Sequence, residues 1–118
     1  MGTMNISLPD ALKAFVDDQV SRRARSSAKP VVPREQANRD IDDAIDYYLG
    51  ERAGQAATGF VDALEEAYAH IGRHPAAGSQ RYAIELNLPG LRSWPLFPYL
   101  VFYVERPDRV DVWRVLHD

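Results

Sequence analysis

The sequence has no cysteine, so it excludes disulfides and cysteine-based zinc sites. Histidine is also scarce, with residues at positions 70, 74 and 117 alone, which argues against other metal sites. No apolar run approaches the ~20 residues of a membrane-spanning helix, and no basic stretch followed by an apolar one opens the chain. We therefore expect a cytoplasmic protein, with no membrane contact, that needs neither a metal nor another cofactor.

Lysine is nearly absent as well. Lys13 and Lys29 are the only two, so every cation after position 29 is an arginine. Residues 1–35 carry six Lys or Arg against four Asp or Glu, whereas residues 36–118 carry eight against thirteen. Proteins that grip long nucleic acids usually present a basic surface. The acidic larger part of the chain argues against that function.

The first 29 residues differ in pattern from the rest. Residues 4–8 alternate in polarity and predict a short strand, and residues 10–20 predict a helix that Pro9 can precede without cost. Residues 21–29, SRRARSSAK, are polar and lack apolar periodicity, which predicts a linker. The predicted helix has one apolar face, formed by Leu12, Phe15, Val16 and Val20.

Two amphipathic helices follow a short extended piece at Val31 and Val32. The spacing i, i+4, i+7, i+8 of apolar residues between positions 37 and 49 predicts the first, and a similar stripe between positions 60 and 71 predicts the second. Gly54 is predicted to cap the end of the first helix. The short connection predicts a helical hairpin.

From Arg81 onward the pattern changes to β. Residues 91–96, 99–105 and 110–116 are rich in β-branched and aromatic residues, and residues 106–109, RPDR, predict a turn. The middle strand is apolar on both faces, which is typical of a strand that is covered on both sides. The predicted fold is α+β, with a helical hairpin packed on a small antiparallel sheet in the order β-α-α-β-β-β, preceded by a strand-helix extension.

Four segments of residues 30–118 resemble the ParE branch of the RelE/ParE toxin superfamily. They are PREQANRDIDDAIDYYL, FVDALEEAYAHIGRHPAAGS, ELNLPGLRSWPLFPYLVFYVE and VDVWRVLH, in that order. The resemblance implies a toxin domain over residues 30–118 from a type II toxin–antitoxin, or plasmid stabilisation, system. It also implies neutralisation by a ParD-like antitoxin.

Residues 1–25 resemble the start of a ParD-type ribbon-helix-helix antitoxin, in the strand MNISLP and the helix DALKAFVDDQV. In that family two chains pair their strands to enter the DNA major groove, and a second helix completes the dimer. No second helix follows Arg23, so we expect no direct DNA binding. Residues 1–29 are thus interpreted as a ParD-like fragment and linker, whose helix either packs on the toxin domain or stays mobile.

The superfamily contains two kinds of toxin. ParE-like members are described as inhibitors that bind DNA gyrase and have no catalytic set, and the resemblance favours this reading. RelE-like members are ribosome-dependent mRNA endonucleases, whose chemistry requires clustered cations and a general base. A third alternative is an inactive hybrid that only binds antitoxin, because ParE toxins usually continue past the RVLH strand with a tail associated with toxicity.

No residue is assigned a catalytic role. Arg81, Arg92 and Arg114 are candidates for phosphate binding, although arginines on strands and loops often pair with nearby acids. Tyr99, Tyr103 and Trp113 form either a recognition surface or part of the core, and His117 is either a base or a structural residue. A bare apolar sheet face would predict self-association, so a homodimer is a further expectation.

Overall fold

The computed structural model describes residues 29–117. The predicted strand at residues 4–8, the helix at residues 10–20, all but the last residue of the linker, and with them the ParD-like fragment, lie outside the described residues. The predicted α+β fold with a helical hairpin on a small sheet is confirmed. Its elements are β1 (Val31–Pro33), α1 (Glu35–Gly50), α2 (Gly54–Arg73), a 3-10 turn (Pro75–Ala77), α3 (Arg81–Glu85), β2 (Leu91–Leu96), β3 (Tyr99–Glu105) and β4 (Val110–His117).

The two long helices form where apolar residues recur at helical spacing. Helix α1 buries Ala37, Ile41, Ala44 and Ile45, and its opposite side carries an exposed ion pair between Glu35 and Arg39. Helix α2 is longer and more buried, and its contribution to the core includes Phe60, Val61, Leu64, Ala67, Tyr68 and Ile71. Apolar burial on one stripe of each helix therefore holds the hairpin against the sheet.

The hairpin connection differs from the prediction. Helix α1 ends at Gly50, and Gly54 begins α2, so the prediction that Gly54 caps α1 is wrong. The left-handed position falls two residues earlier, at Arg52, whose φ is 57°. The amides of Glu51 and Ala53 donate to carbonyls in the last turn of α1, at 3.0 and 2.8 Å. These bonds satisfy the helix end without a capping glycine.

The sheet has the order β1-β4-β3-β2. Strands β2, β3 and β4 pair antiparallel as predicted, but β1 pairs parallel to β4, with Val31 opposite Val110. This difference follows from the helical hairpin, which lies between β1 and the other strands in the chain. Apolar alternation gives the faces of a strand and says nothing about its direction, so the parallel pairing could not be read from the sequence.

Specific contacts and short strands protect the edges of the sheet. At β2, Ser79 and Ser93 exchange two backbone hydrogen bonds of 2.9 Å each, and Pro95 has no amide to offer. At β4, the Val115 amide donates to the Asp40 carboxylate of α1 at 2.9 Å. Strand β1 is three residues long and ends at a proline. Short strands, prolines and covering side chains all block further strand pairing.

A short helix occupies residues that were predicted to begin the β region. Helix α3 starts after Ser79, whose hydroxyl accepts the Arg81 amide at 3.1 Å, and Arg81 pairs with Glu85 one turn later. Asn87, at φ 54°, then turns the chain toward β2. The β prediction from Arg81 onward is therefore wrong for residues 81–85, because local capping and an i, i+4 ion pair favour a helical turn there.

Tyr103 joins the sheet to the loop after α2. Its ring is fully buried, and its hydroxyl donates to the Pro75 carbonyl and accepts the Gly78 amide, both at 2.9 Å. Gly78 leaves little space there, because a Cβ at this position would meet the Tyr103 ring carbon at 2.9 Å and the Ser93 carbonyl at 3.0 Å. The loop is thus fitted closely around one hydroxyl.

We expect Gly78→Ala to destabilise the protein by about 1–3 kcal/mol, since the added methyl must displace a buried ring or a backbone carbonyl. Urea unfolding measures the change. Gly59→Ala is the matched control: nothing lies within 4 Å of a Cβ at Gly59, which is helical and exposed, so this variant should gain about 0.5–1 kcal/mol. A loss of stability at Gly59 comparable to that at Gly78 would contradict the steric explanation.

Candidate functional site

The sheet has a second face, on the side away from the long helices. Along β3, Tyr99, Val101 and Tyr103 point into the helix-covered core, so the alternation of the strand turns Leu100 and Phe102 outward. Both outward residues are only partly buried. Strand β3 is apolar on both faces, and the face turned away from the long helices is therefore only partly covered.

Helix α3 and the turn after it form one wall of this second face. The Tyr82 ring meets the Phe102 ring edge-on, with centroids 5.3 Å apart. The Leu91 amide donates to the Leu88 carbonyl at 3.1 Å, which brings the turn close to the start of β2. The aliphatic side chains of this wall remain exposed, by 81% for Ile84 and 57% for Leu86.

A β-bulge shapes the opposite wall. The register between β3 and β4 shifts beside Phe102, so that Trp113 is an extra residue in β4. The Arg34 guanidinium lies 4.9 Å from the centroid of the Trp113 ring. The indole Nε1 is shielded from solvent and finds no acceptor among residues 29–117. The bulge thus aims a large ring along the second face.

These walls enclose a shallow groove of ≈ 170 Å³. Leu116 closes its end and is 37% exposed. Exposed, contiguous apolar surface of this kind is typical of protein-interaction sites. We call the surface the apolar face, and its residues are Leu86, Leu88, Leu91, Phe102, Trp113, Leu116 and the stem of Arg114.

Two of the predicted site residues, Trp113 and Arg114, line the apolar face, and Arg81 lies on its α3 wall. The Arg81 guanidinium is 5.4 Å from the Tyr82 ring and pairs with Glu85 at 3.1 Å. The three leucines at positions 86, 88 and 91 were not among the predicted site residues. A signal was available, since ELNLPGL places them just before and after a Pro-Gly turn.

The three candidate phosphate-binding arginines hold separate intramolecular contacts. Arg114 donates to both carboxylate oxygens of Asp40, at 2.8 and 3.0 Å. Arg92 donates to the carbonyls of Ala76 and Gly78, at 3.0 and 2.9 Å, and so fixes the loop beside Tyr103. Arg81 pairs with Glu85 on α3. The three guanidinium groups therefore make contacts in three different parts of the fold.

Tyr99 and His117 lie at a different place, near the end of the helical hairpin. Their rings meet edge-on at 5.2 Å, and both line an open groove of ≈ 500 Å³ with Tyr47, Tyr48 and Pro98. Burial, together with the neighbouring Tyr48, raises the pKa of Tyr99 to about 12, so its phenol stays protonated at neutral pH. Tyr103, the seventh candidate, lies in the core.

Two buried carboxylates organise the charged groups of the domain. Burial alone would raise the pKa of Asp40, but hydrogen bonds from Arg114 and the Val115 amide, with the Arg114 charge, outweigh it and lower this pKa. At Asp111 burial also opposes the net effect, and the hydrogen bonds of Arg109 and Arg106, with the charges of Arg109 and Arg34, lower the pKa. Both groups therefore favour the folded state when ionised.

We expect the stability of the domain to fall as the solution is acidified. The lowered pKa values mean that the contribution of both carboxylates is complete above the ordinary aspartate value of 3.8 and is lost as pH drops through the folded values below it. Thermal unfolding between pH 7 and pH 2.5 measures this loss. The double variant Asp40→Asn, Asp111→Asn should show a flatter profile, and an unchanged acid slope would contradict the assignment.

No three His, Asp or Glu side chains between residues 29 and 117 lie close enough together to hold a metal ion. None of the helices in this part of the chain combines the length and the hydropathy that a membrane crossing requires.

The sequence comparison places the described domain in a family. The model of the ParE toxin of the type II toxin–antitoxin system, parDE, matches residues 31–118. The chain belongs to the ParE toxin family. The match covers about three quarters of the chain and leaves out residues 1–30, so the ParD-like resemblance of residues 1–25 stays a prediction.

A solved structure has the same fold as this ParE-family chain. It is described as the chromosomal ParDE toxin–antitoxin system from P. aeruginosa, and its sequence is 17% identical. The alignment covers 76% of this chain and 96% of that chain, with a TM-score of 0.63. At this identity the likeness shows the fold alone. A search of curated proteins found no significant match.

Proposed function

We propose that this ParE-family chain is a gyrase-directed toxin that acts in the cytoplasm by protein–protein contact, and that a ParD-like antitoxin neutralises it. The observation that carries the proposal is the apolar face, where exposed aliphatic side chains and a bulged tryptophan border one groove. Such a surface binds another protein by burying apolar area, and needs no bond-breaking residue to do so.

The contacts of the three candidate phosphate-binding arginines favour a protein-binding function over mRNA cleavage. Cleavage of mRNA would need guanidinium groups gathered around the reacting phosphate, with a base within hydrogen-bonding distance. Arg81, Arg92 and Arg114 are instead engaged with Glu85, with loop carbonyls and with Asp40. His117 lies beside Tyr99, in the other groove. The RelE-like reading would therefore require several of these contacts to break.

Two assays, run on one preparation, test the proposal. Purified protein is added to gyrase and relaxed plasmid, and in parallel to ribosomes that translate a defined message. We expect loss of supercoiling with the message intact, and restoration of supercoiling when a ParD-like antitoxin is added. Message cleavage without an effect on gyrase would replace the proposal with the RelE-like function. Silence in both assays, with antitoxin binding retained, would indicate the inactive hybrid.

Self-association is a further proposal for the apolar face. A second copy that buries the leucines on this face would compete with gyrase for the same surface. Light scattering at the assay concentration measures it, and we expect a larger mass only at the highest concentrations. A monomer at every concentration would remove the homodimer from the proposal without affecting the gyrase experiment.

A further inference from the structure

A groove near the end of the helical hairpin is lined almost entirely by rings. Tyr47 and Tyr48 come from the last turn of α1, Tyr99 is the first residue of β3, and His117 is the last residue of β4. Pro98 closes one side, and the groove has a volume of ≈ 500 Å³. We call the surface formed by these five residues the aromatic groove. It shares no residue with the apolar face, so the two surfaces are separate.

The rings of the aromatic groove bring polar atoms together. The Tyr47 and Tyr48 rings meet edge-on at 5.6 Å, as the Tyr99 and His117 rings do at 5.2 Å. The pKa of Tyr99 is raised by burial, by the adjacent Tyr48, which hydrogen-bonds to its hydroxyl, and by Tyr47. The three phenol hydroxyls therefore lie near one another, and their oxygens can accept hydrogen bonds from a ligand in the groove.

A carboxylate lies at one end of the aromatic groove. A smaller depression of ≈ 200 Å³ continues from the groove, because Tyr99 and His117 line both, and Asp40 and Asp43 line the depression as well. Asp40 is already bonded to Arg114. Asp43 is exposed and makes no ion pair with any other residue between positions 29 and 117. Its charge is therefore available to a ligand.

The helix beside the aromatic groove makes this region electronegative. Helix α1 carries five acidic residues and one basic residue, Arg39, which pairs with Glu35 near the start of the helix. Such an excess of one charge attracts cations and repels anions. The faces of aromatic rings also attract cations. The groove therefore favours a positively charged ligand.

The rings and acceptors of the aromatic groove favour a guanidinium group over other ligands. An apolar side chain that filled the groove would leave Asp43 and the phenol hydroxyls without water or a hydrogen-bond donor. A lysine ammonium group would supply the charge, but it is compact and has no plane to stack on a ring. A guanidinium group is planar, stacks on aromatic rings and donates hydrogen bonds from its edge. Arginine therefore matches the rings, the oxygens and the carboxylate together.

We propose that the aromatic groove binds an arginine side chain, presented by a basic segment of a protein partner. The guanidinium group stacks on the exposed Tyr47 ring and donates to the phenol oxygens and to Asp43. This site lies away from the apolar face and does not depend on the proposed gyrase contact. The domain then has two interaction surfaces of different chemistry, one that buries aliphatic side chains and one that recognises a cation.

A peptide titration of the full chain tests the proposal. The probe is the peptide Gly-Gly-Arg-Gly-Gly with blocked ends, and NMR follows the amide signals of Tyr47 and Tyr99 as the peptide is added. We expect saturable shifts that are half-complete at about 1–10 mM, as suits a single side chain. The same peptide with citrulline keeps the size and plane of the side chain but has no charge, and should bind at least about tenfold more weakly. The lysine peptide should bind at least about threefold more weakly.

Two substitutions locate the site. Tyr47→Leu removes an exposed ring and should weaken binding of the arginine peptide about fivefold. Asp43→Asn removes the charge, keeps the size, and should weaken binding about threefold. Asp62→Asn is the matched control, because it makes the same change at an exposed position of α2 outside the groove and should leave binding unchanged. An unchanged Tm shows that each variant is folded.

The proposal is overturned if no saturable shift appears up to about 50 mM peptide. Equally tight binding of the citrulline or lysine peptide would also contradict it, as would equal weakening by Asp43→Asn and Asp62→Asn. Shifts confined to the apolar face would move the contact there, and shifts that appear when the protein alone is concentrated would assign the groove to a second copy. Both results contradict the proposal. The gyrase assay stays independent, because Tyr47→Leu should inhibit supercoiling as the parent does, whatever the titration shows.

Discussion

Leu86→Asp should strongly weaken the proposed gyrase inhibition and leave the fold intact. Leu86 is 57% exposed, so its replacement removes little buried area and should change the free energy of unfolding by less than about 0.5 kcal/mol. A carboxylate in the apolar groove has to be desolvated when a partner covers it. We expect at least about a 30-fold rise in the concentration that halves supercoiling, which corresponds to the loss of one hot-spot residue.

The matched control for Leu86→Asp is Tyr47→Asp. Tyr47 is 61% exposed and lines the groove near Tyr99 and His117, away from the apolar face. This variant introduces the same charge at a similar exposure and should inhibit gyrase as the parent does. The reverse result, loss of inhibition with Tyr47→Asp and not with Leu86→Asp, would move the contact to the groove at the end of the hairpin.

Asp40→Ala should strongly destabilise the domain. The Asp40 side chain is 8% exposed and accepts two hydrogen bonds from Arg114 and one from the Val115 amide. Its removal leaves that amide without its acceptor and detaches α1 from β4. Because Arg114 is 42% exposed and can be hydrated, we expect a loss of about 2–3 kcal/mol, below the full cost of breaking a buried pair.

Thermal unfolding measures this loss, and a drop in Tm of roughly 10 °C is expected for a domain of this size. Glu35→Ala is the control on the same helix, because its ion pair with Arg39 is exposed on both sides. That pair should contribute no more than about 0.5 kcal/mol. Equal effects of the two substitutions would show that the contact between α1 and β4 does not depend on Asp40.

Local pattern predicted most of the fold. Strands β2 and β3 were predicted to the residue, and both long helices were located, because their core stripes repeat over three turns or more. The predictions were wrong or incomplete where tertiary contacts, rather than local pattern, determine the backbone conformation. Arg52 takes the left-handed turn that was expected near Gly54 because backbone amides already satisfy the end of α1. Helix α3 begins where the Ser79 hydroxyl accepts the Arg81 amide, a contact that no periodicity shows.

The candidate site was harder to predict than the fold. The candidates were chosen by residue type, and type alone does not show whether an arginine faces a ligand or an internal carboxylate. Asp40 is 74 residues before Arg114 in the chain, so their pairing follows only from the packing of α1 on β4. The exposed leucines of the apolar face, such as Leu86 and Leu88, were not predicted for the opposite reason: exposed aliphatic residues look like core residues in a sequence.

The covered sheet edges determine how this ParE-family domain behaves at high concentration. Ordered polymers of β proteins grow by adding a strand of one molecule to a bare edge of the next. Three features block that first addition here. Ser79 bridges to Ser93 at the β2 edge, the Asp40 carboxylate accepts the Val115 amide of β4, and β1 is only three residues long. We therefore expect that this ParE-family domain does not form fibrils when it is present in excess of a binding partner.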